Sequence, residues 1–205
     1  MLKKVTIKDG FVYKIYLKPT LLDAKKNIIK RIEQINSFNF NKYTSLVQTE
    51  IIDEHNRYIY KQKYFKPLKK SLFTKDDFLE LVYSLNYLSS INFIHGDINR
   101  KNIIYTANGF KIIDYEPSLY QVKSNMPMPM ITIPYVLKSD LDNKIITIST
   151  DKIGFFYFIL RINNAFASAN VVELSKDLNH SIFNVRDIDK MSYIEILHIA
   201  YLNIK

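Results

Sequence analysis

A polar octapeptide, His95-Gly96-Asp97-Ile98-Asn99-Arg100-Lys101-Asn102, is the feature that most constrains how this chain can fold. An apolar helix pattern lies on one side of it and a hairpin pattern on the other. Upstream, Thr74 supplies a cap, and Phe78, Leu81, Val82, Leu85 and Leu88 recur on one helical face. Downstream, Ile103-Ile104-Tyr105 and Phe110-Lys111-Ile112-Ile113 flank Asn108-Gly109, a turn dipeptide between two β-prone runs. The hairpin then runs out into Asp114-Tyr115-Glu116. This order brings Asp97, Asn102 and Asp114 towards one another as a compact set of oxygen donors. Such a set suits Mg²⁺, which takes one or two carboxylates with amide, water and phosphate oxygens. It also suits the placing of an acceptor hydroxyl beside a nucleotide.

The residues before position 65 read differently. Lys3 to Ile7 and Phe11 to Leu17 flank Asp9-Gly10, a hairpin signal. Period two puts Val12, Lys14 and Tyr16 on one strand face. From Thr20 the pattern turns helical through Leu21, Ile28, Ile29, Ile32 and Ile35, and strands are expected at Ser45 to Ile52 and Tyr58 to Tyr64. Beyond the second hairpin, Pro117, Pro127, Pro129 and Pro134 exclude helix from most of 117–137. A buried helix is expected after Ser149-Thr150 to about Asn163, and another from Ser192 to Leu202. The expected fold class is therefore α+β. A reduced β-rich lobe at about 1–65 and a mainly helical lobe at about 66–205 make up one domain.

The composition narrows the chemistry. The 205 residues contain no cysteine, which removes disulfides, thiol nucleophiles and thiolate metal sites. The longest dense apolar run, Ile153 to Leu160, is far short of a membrane span of about 20 residues. No signal peptide is read at the N-terminus, so an intracellular, cytoplasmic protein without a transmembrane segment is expected. Lys and Arg number 29 against 20 Asp and Glu, a net charge of +9. The lysines are scattered and no arginine-rich block occurs, so no specific nucleic-acid partner is expected.

His-x-Asp-x-x-x-x-Asn, followed by an apolar strand and an aspartate, resembles the catalytic loop and metal-binding aspartate of the protein kinase superfamily. The resemblance implies a two-lobed kinase-like fold and ATP and Mg²⁺ as cofactors. It makes Asp97 the group that orients and deprotonates the acceptor hydroxyl, and Asn102 and Asp114 the metal ligands. Lys14 falls on the strand of the ATP-anchoring lysine, with Val12 on the same face against adenine and Glu33 in the next helix as the partner of Lys14. Asn99 stands where protein kinases usually carry a lysine that neutralises the γ-phosphate. Thr132-Ile133-Pro134-Tyr135 resembles the end of an activation segment. Thr150-Asp151 resembles the start of a buried helix whose aspartate holds the catalytic-loop backbone, and Asp187 to Leu202 the last helix of such a domain.

The sequence also departs from the family. No Gly-x-Gly-x-x-Gly precedes Lys14, so an activating or clamp-completing partner is among the implied partners. Glu116 stands where Asp-Phe-Gly ends, Ser139-Asp140 where Ala-Pro-Glu would fall, and Gly96 where arginine is common. The expected activity is that of a minimal Ser/Thr protein kinase acting on a protein substrate. His-Gly-Asp keeps open a small-molecule or glycolipid-sugar kinase, and the missing glycine loop keeps open a pseudokinase binding module.

Overall fold

The computed structural model describes residues 2–20, 22–70, 72–114, 146–163, 185–188 and 190–202. Thr132, Glu116 and Ser139-Asp140 lie outside them. The N-terminal part is a four-stranded antiparallel sheet and one helix, and the described elements after residue 65 are mainly helical.

Strands β1 (Leu2–Lys8) and β2 (Phe11–Leu17) pair across the Asp9-Gly10 turn, helix α1 (Leu22–Asn36) follows, and β3 (Thr49–Glu54) and β4 (Arg57–Lys63) close the sheet. The strand order is β1-β2-β4-β3, because β4 returns to pair with β2. Lys14 lies opposite Tyr60 and Val12 opposite Gln62 in that register. Tyr58, Tyr60 and Gln62 are buried, which identifies the face shared by Val12, Lys14 and Tyr16 as the inner one. Tyr16 meets Tyr60 edge-on at 5.2 Å between ring centroids.

Two expected elements begin elsewhere. The third strand starts at Thr49 rather than Ser45, because residues 45–48 are spent on a different contact. There Leu46 bridges to Ile112 in parallel and the Ile112 N–H donates to the Ser45 carbonyl at 2.7 Å. Thr74 does not cap α2 (Leu79–Ser90) directly. A 3₁₀ turn at Asp76–Phe78 comes first, and the Thr74 N–H and hydroxyl both donate to the Asp77 carboxylate. The hairpin forms as β5 (Ile103–Thr106) and β6 (Gly109–Ile112). Helix α3 (Ile148–Ile162) is capped by Thr147 in a capping box with Thr150, the short α4 spans Val185–Ile188, and α5 spans Tyr193–Leu202.

The core of the helical part is aromatic and centred on Phe78, which stacks on Phe110 at 4.9 Å and meets Phe158 and Tyr201 edge-on. Every residue of α3 from Ile153 to Leu160 is buried, as expected for an apolar helix segment with no solvent face.

One helix position is set by an approach too close for any side chain. A Cβ on Gly154 would stand 2.5 Å from the Ile98 carbonyl oxygen, so only glycine lets α3 lie against the octapeptide loop. Alanine gains about 1 kcal/mol of helix propensity over glycine, but here it meets backbone that cannot swing aside. Gly154→Ala is therefore expected to lower stability by about 1–3 kcal/mol net, read as a drop in denaturant midpoint with an unchanged slope.

Candidate active site

The octapeptide forms a loop between α2 and β5, fixed from beneath by Asp151 near the start of α3. The buried Asp151 carboxylate accepts the His95 N–H at 2.6 Å and the Gly96 N–H at 2.7 Å, one on each oxygen. Gly96 adopts φ +81°, a conformation that side chains disfavour, and this turns both amides towards the same carboxylate. The His95 ring is buried as well. Its Nε2 lies 2.9 Å from the Ile113 carbonyl, while Nδ1 accepts the Asp97 N–H at 3.3 Å, which fixes the tautomer with the proton on Nε2.

Above this base stands Asp97. Its Oδ1 accepts from Asn99 Nδ2 at 2.5 Å and its Oδ2 from Asn102 Nδ2 at 2.8 Å. Both amides also donate to the Asp97 carbonyl, at 3.1 and 2.9 Å. Asn99 Oδ1 accepts the Lys101 N–H at 2.7 Å, so this side chain is fully committed to bracing the loop. Asn102 gives its nitrogen to Asp97, and its amide oxygen remains as an acceptor. Partial burial raises the Asp97 pKa above the ordinary carboxylate value, against the lowering by Asn102 and Asn99, and Asp114 adds to the rise.

Asp114 follows β6 with φ +63°, a left-handed conformation that aspartate tolerates better than most residues. Its Oδ1 forms an ion pair with the Lys14 ammonium, joining residues one hundred positions apart and tying the sheet to the loop. Lys14 is mostly buried and Asp114 is half exposed, so the pair opens outward from the Asp114 side. Val12 is half-buried on the same strand face.

Glu33 does not take the expected place. Among the described residues Lys14 pairs with Asp114, and Glu33 lies exposed on α1. The helical stripe explains why. Ile28 and Ile35 are buried and Ile32 half-buried, whereas Ile29 is 48% exposed. Glu33, one turn after Ile29, shares that outer face.

Arg31, one turn after Ile28 and one before Ile35, shares the inner face instead. Its guanidinium sits 3.5 Å from the centre of the Phe93 ring, beside the octapeptide. Sequence reasoning passed over it, although its spacing from the two buried isoleucines was the available signal. A second missed contact is the buried Lys111, whose ammonium donates to the Thr44 carbonyl at 2.6 Å and holds the 37–48 connection against β6. Burial lowers its pKa.

Two buried groups beneath the loop titrate in opposite senses. Burial raises Asp151 to about 7, against its two backbone hydrogen bonds, and lowers His95 to about 4. The folded state thus holds the Asp151 proton more tightly than the unfolded chain, so this group's contribution falls as pH rises from about 4 to 7. The folded state holds the His95 proton less tightly, so that contribution is lost as pH falls from about 6.5 to 4. The two slopes oppose each other. Asp151→Asn removes one of them, and the variant's melting temperature is expected to drop more steeply than that of wild type between pH 6.5 and 4. Parallel melting curves against pH for the two proteins would contradict this. The same change turns an acceptor into a donor facing an N–H, at a further cost of about 1–3 kcal/mol at every pH.

Among the described residues no three His, Asp or Glu side chains gather into a ready metal cage. A divalent cation at this place would draw on the Asp114 carboxylate, the Asn102 amide oxygen and oxygens brought by its ligand, a donor set that fits Mg²⁺ with phosphate. No helix among the described residues is long and apolar enough to cross a membrane. A scan against protein-family models finds no match to the chain, and neither does a search of curated proteins.

Proposed function

We propose that this chain is a protein kinase-like phosphotransferase that moves the γ-phosphoryl of ATP to a Ser or Thr hydroxyl of a protein. The observation that carries the reading is the meeting of Lys14, Asp97, Asn102 and Asp114 from two separate parts of the fold. One cation and two carboxylates converge there with the Asn102 amide. Phosphoryl transfer asks a protein chiefly for positioning and charge neutralisation, and this set offers both.

In this reading Asn102 and Asp114 would hold Mg²⁺, and Lys14 would meet the phosphates of the nucleotide. Bound Mg²⁺–ATP supplies the phosphoryl group and screens its charge. The chain's residues do the rest. Asp97 accepts the hydroxyl proton, and the rise in its proton affinity on burial favours that task. Asn99 and Asn102 fix the two carboxylate oxygens, so that Asp97 pays little ordering entropy when the acceptor arrives. His95 and Asp151 hold the loop backbone from below. Asn99 acts here as the brace of Asp97, and Val12 offers apolar surface beside Lys14 for the adenine. Glu33 has no part in the pair that Lys14 forms.

The ion pair between Lys14 and Asp114 is the place a phosphate and its cation would divide, anion to the ammonium and cation to the carboxylate. Asp114→Asn keeps the size of the side chain and removes the charge. Calorimetric titration with ATP is expected to show Mg²⁺-dependent binding for wild type and loss of the Mg²⁺ dependence in the variant. Equal Mg²⁺-dependent affinity in both would remove Asp114 from the site. The fold should be kept, with a modest loss of stability, since this carboxylate is half exposed but its partner ammonium is mostly buried.

A further inference from the structure

The connection after β4 carries an unusual mixture of side chains. Between Lys63 and Leu72 three lysines (Lys63, Lys66 and Lys69) are exposed and form no ion pair with any described residue. Interleaved with them are three exposed apolar residues, Tyr64 at 41%, Leu68 at 45% and Leu72 at 67%. Lone exposed apolar residues are ordinary on a protein surface, but here three fall within ten positions and alternate with lysines, the side-chain mixture of a surface that meets a partner both charged and apolar.

Between Tyr64 and Lys70 the chain is anchored at three points. The Tyr64 N–H donates to the Gly10 carbonyl and the Leu68 N–H to the Tyr105 carbonyl, both at 2.8 Å. Lys70, next in line, is tied down at 2.7 Å by Asp77. The stretch therefore presents its outward side chains from a fixed frame, and little conformational entropy is lost when they engage a partner.

We propose that Lys63, Tyr64, Lys66, Leu68, Lys69 and Leu72 form a surface that docks the protein on an anionic lipid bilayer. The lysines lie against the headgroups while the two leucines and the tyrosine dip towards the acyl chains. Charge complementarity supports this occupant, since each lysine near an anionic bilayer contributes about 1 kcal/mol. The apolar half of the pattern separates it from nucleic acid. Leucine has no ring on which a base could stack, yet it gains directly from entering hydrocarbon. The docking surface is independent of the phosphotransfer reading.

The test uses the full chain with vesicles of phosphatidylcholine alone or with about 30% phosphatidylserine, a strongly anionic surface. Wild type is expected to sediment with the anionic vesicles at low salt, to stay in solution with the neutral ones, and to be released as salt rises. Lys66→Gln with Lys69→Gln should weaken partitioning about 30-fold. Leu68→Ser with Leu72→Ser should weaken it about tenfold or more. The chain has no tryptophan, so Leu68→Trp supplies a single reporter at the surface itself. Its emission should move to the blue on anionic vesicles and not on a single-stranded oligonucleotide. Four results would each overturn the proposal: no sedimentation of wild type, unchanged partitioning of either double variant, no spectral shift of the tryptophan on vesicles, or a tighter complex with the oligonucleotide than with the bilayer.

Discussion

Asp97→Ala is expected to lower phosphotransfer by about 10²–10⁴-fold while leaving the affinity for Mg²⁺–ATP within a few-fold of wild type. The geometry explains why the two effects separate. Asp97 is held by Asn99 and Asn102, whereas Lys14 pairs with Asp114, so in the proposed reading Asp97 serves the acceptor hydroxyl and not the nucleotide. The loop also survives the loss of the carboxylate. Both amides that donate to the Asp97 side chain donate to its backbone carbonyl as well, and that carbonyl remains in the variant. Asn102 therefore keeps its orientation. Asp97→Asn is the poorer test, because its amide nitrogen would face Asn99 or Asn102 nitrogens where each needs an acceptor. A matching loss of nucleotide affinity in Asp97→Ala would make Asp97 a ligand of the cation instead.

Lys14→Met is expected to weaken Mg²⁺–ATP binding by about 10- to 100-fold, the range for losing a hydrogen bond to a charged group. The methionine keeps the apolar stem beside Tyr60, its cross-strand neighbour, and Asp114 is half exposed and can take up water in place of the ammonium. Stability should therefore change little. Arginine would not serve, since its planar fork cannot replace a point charge in a mostly buried space. Calorimetry and thermal melting on the same variant separate the two effects. Strong loss of stability with unchanged affinity would make Lys14 a structural cation that serves only to pair with Asp114.

Much of the fold was legible because the elements that matter are strongly periodic. The Asp9-Gly10 and Asn108-Gly109 hairpins and the apolar helices at 79–90 and 148–162 formed within a few residues of their expected limits. The element ends were less legible. Residues 45–48 have strand composition but are recruited by Ile112, a contact that no local pattern announces. Periodicity also gave the inner face of α1 only to within one turn. Ile29 belongs to the same apolar run as Ile28 and Ile32, yet it points outward and carries Glu33 with it. The grouping of Asp97, Asn99 and Asn102 was legible because they are close in sequence and their mutual bonds need no distant partner, whereas the bracing of Asp97 by Asn99 was not. The strand period put Lys14 on one face with Val12 and Tyr16, which is the inner one, but the pairing with Asp114 was not legible in it. Arg31 on Phe93 and Lys111 on Thr44 are charged groups turned inward, which composition assigns by default to the surface.

The most direct test of the account follows the phosphoryl group itself. The purified chain is incubated with γ-labelled ATP, Mg²⁺ and a heat-inactivated cell extract as a source of protein acceptors, beside the same reaction with Asp97→Ala. The account predicts label on serine or threonine of one or more proteins in the wild-type reaction, dependent on Mg²⁺, and almost none with the variant. Label found only in small molecules would assign the hydroxyl acceptor to another class. An unlabelled wild-type reaction, or equal labelling by wild type and Asp97→Ala, would contradict the claim that this loop transfers phosphate.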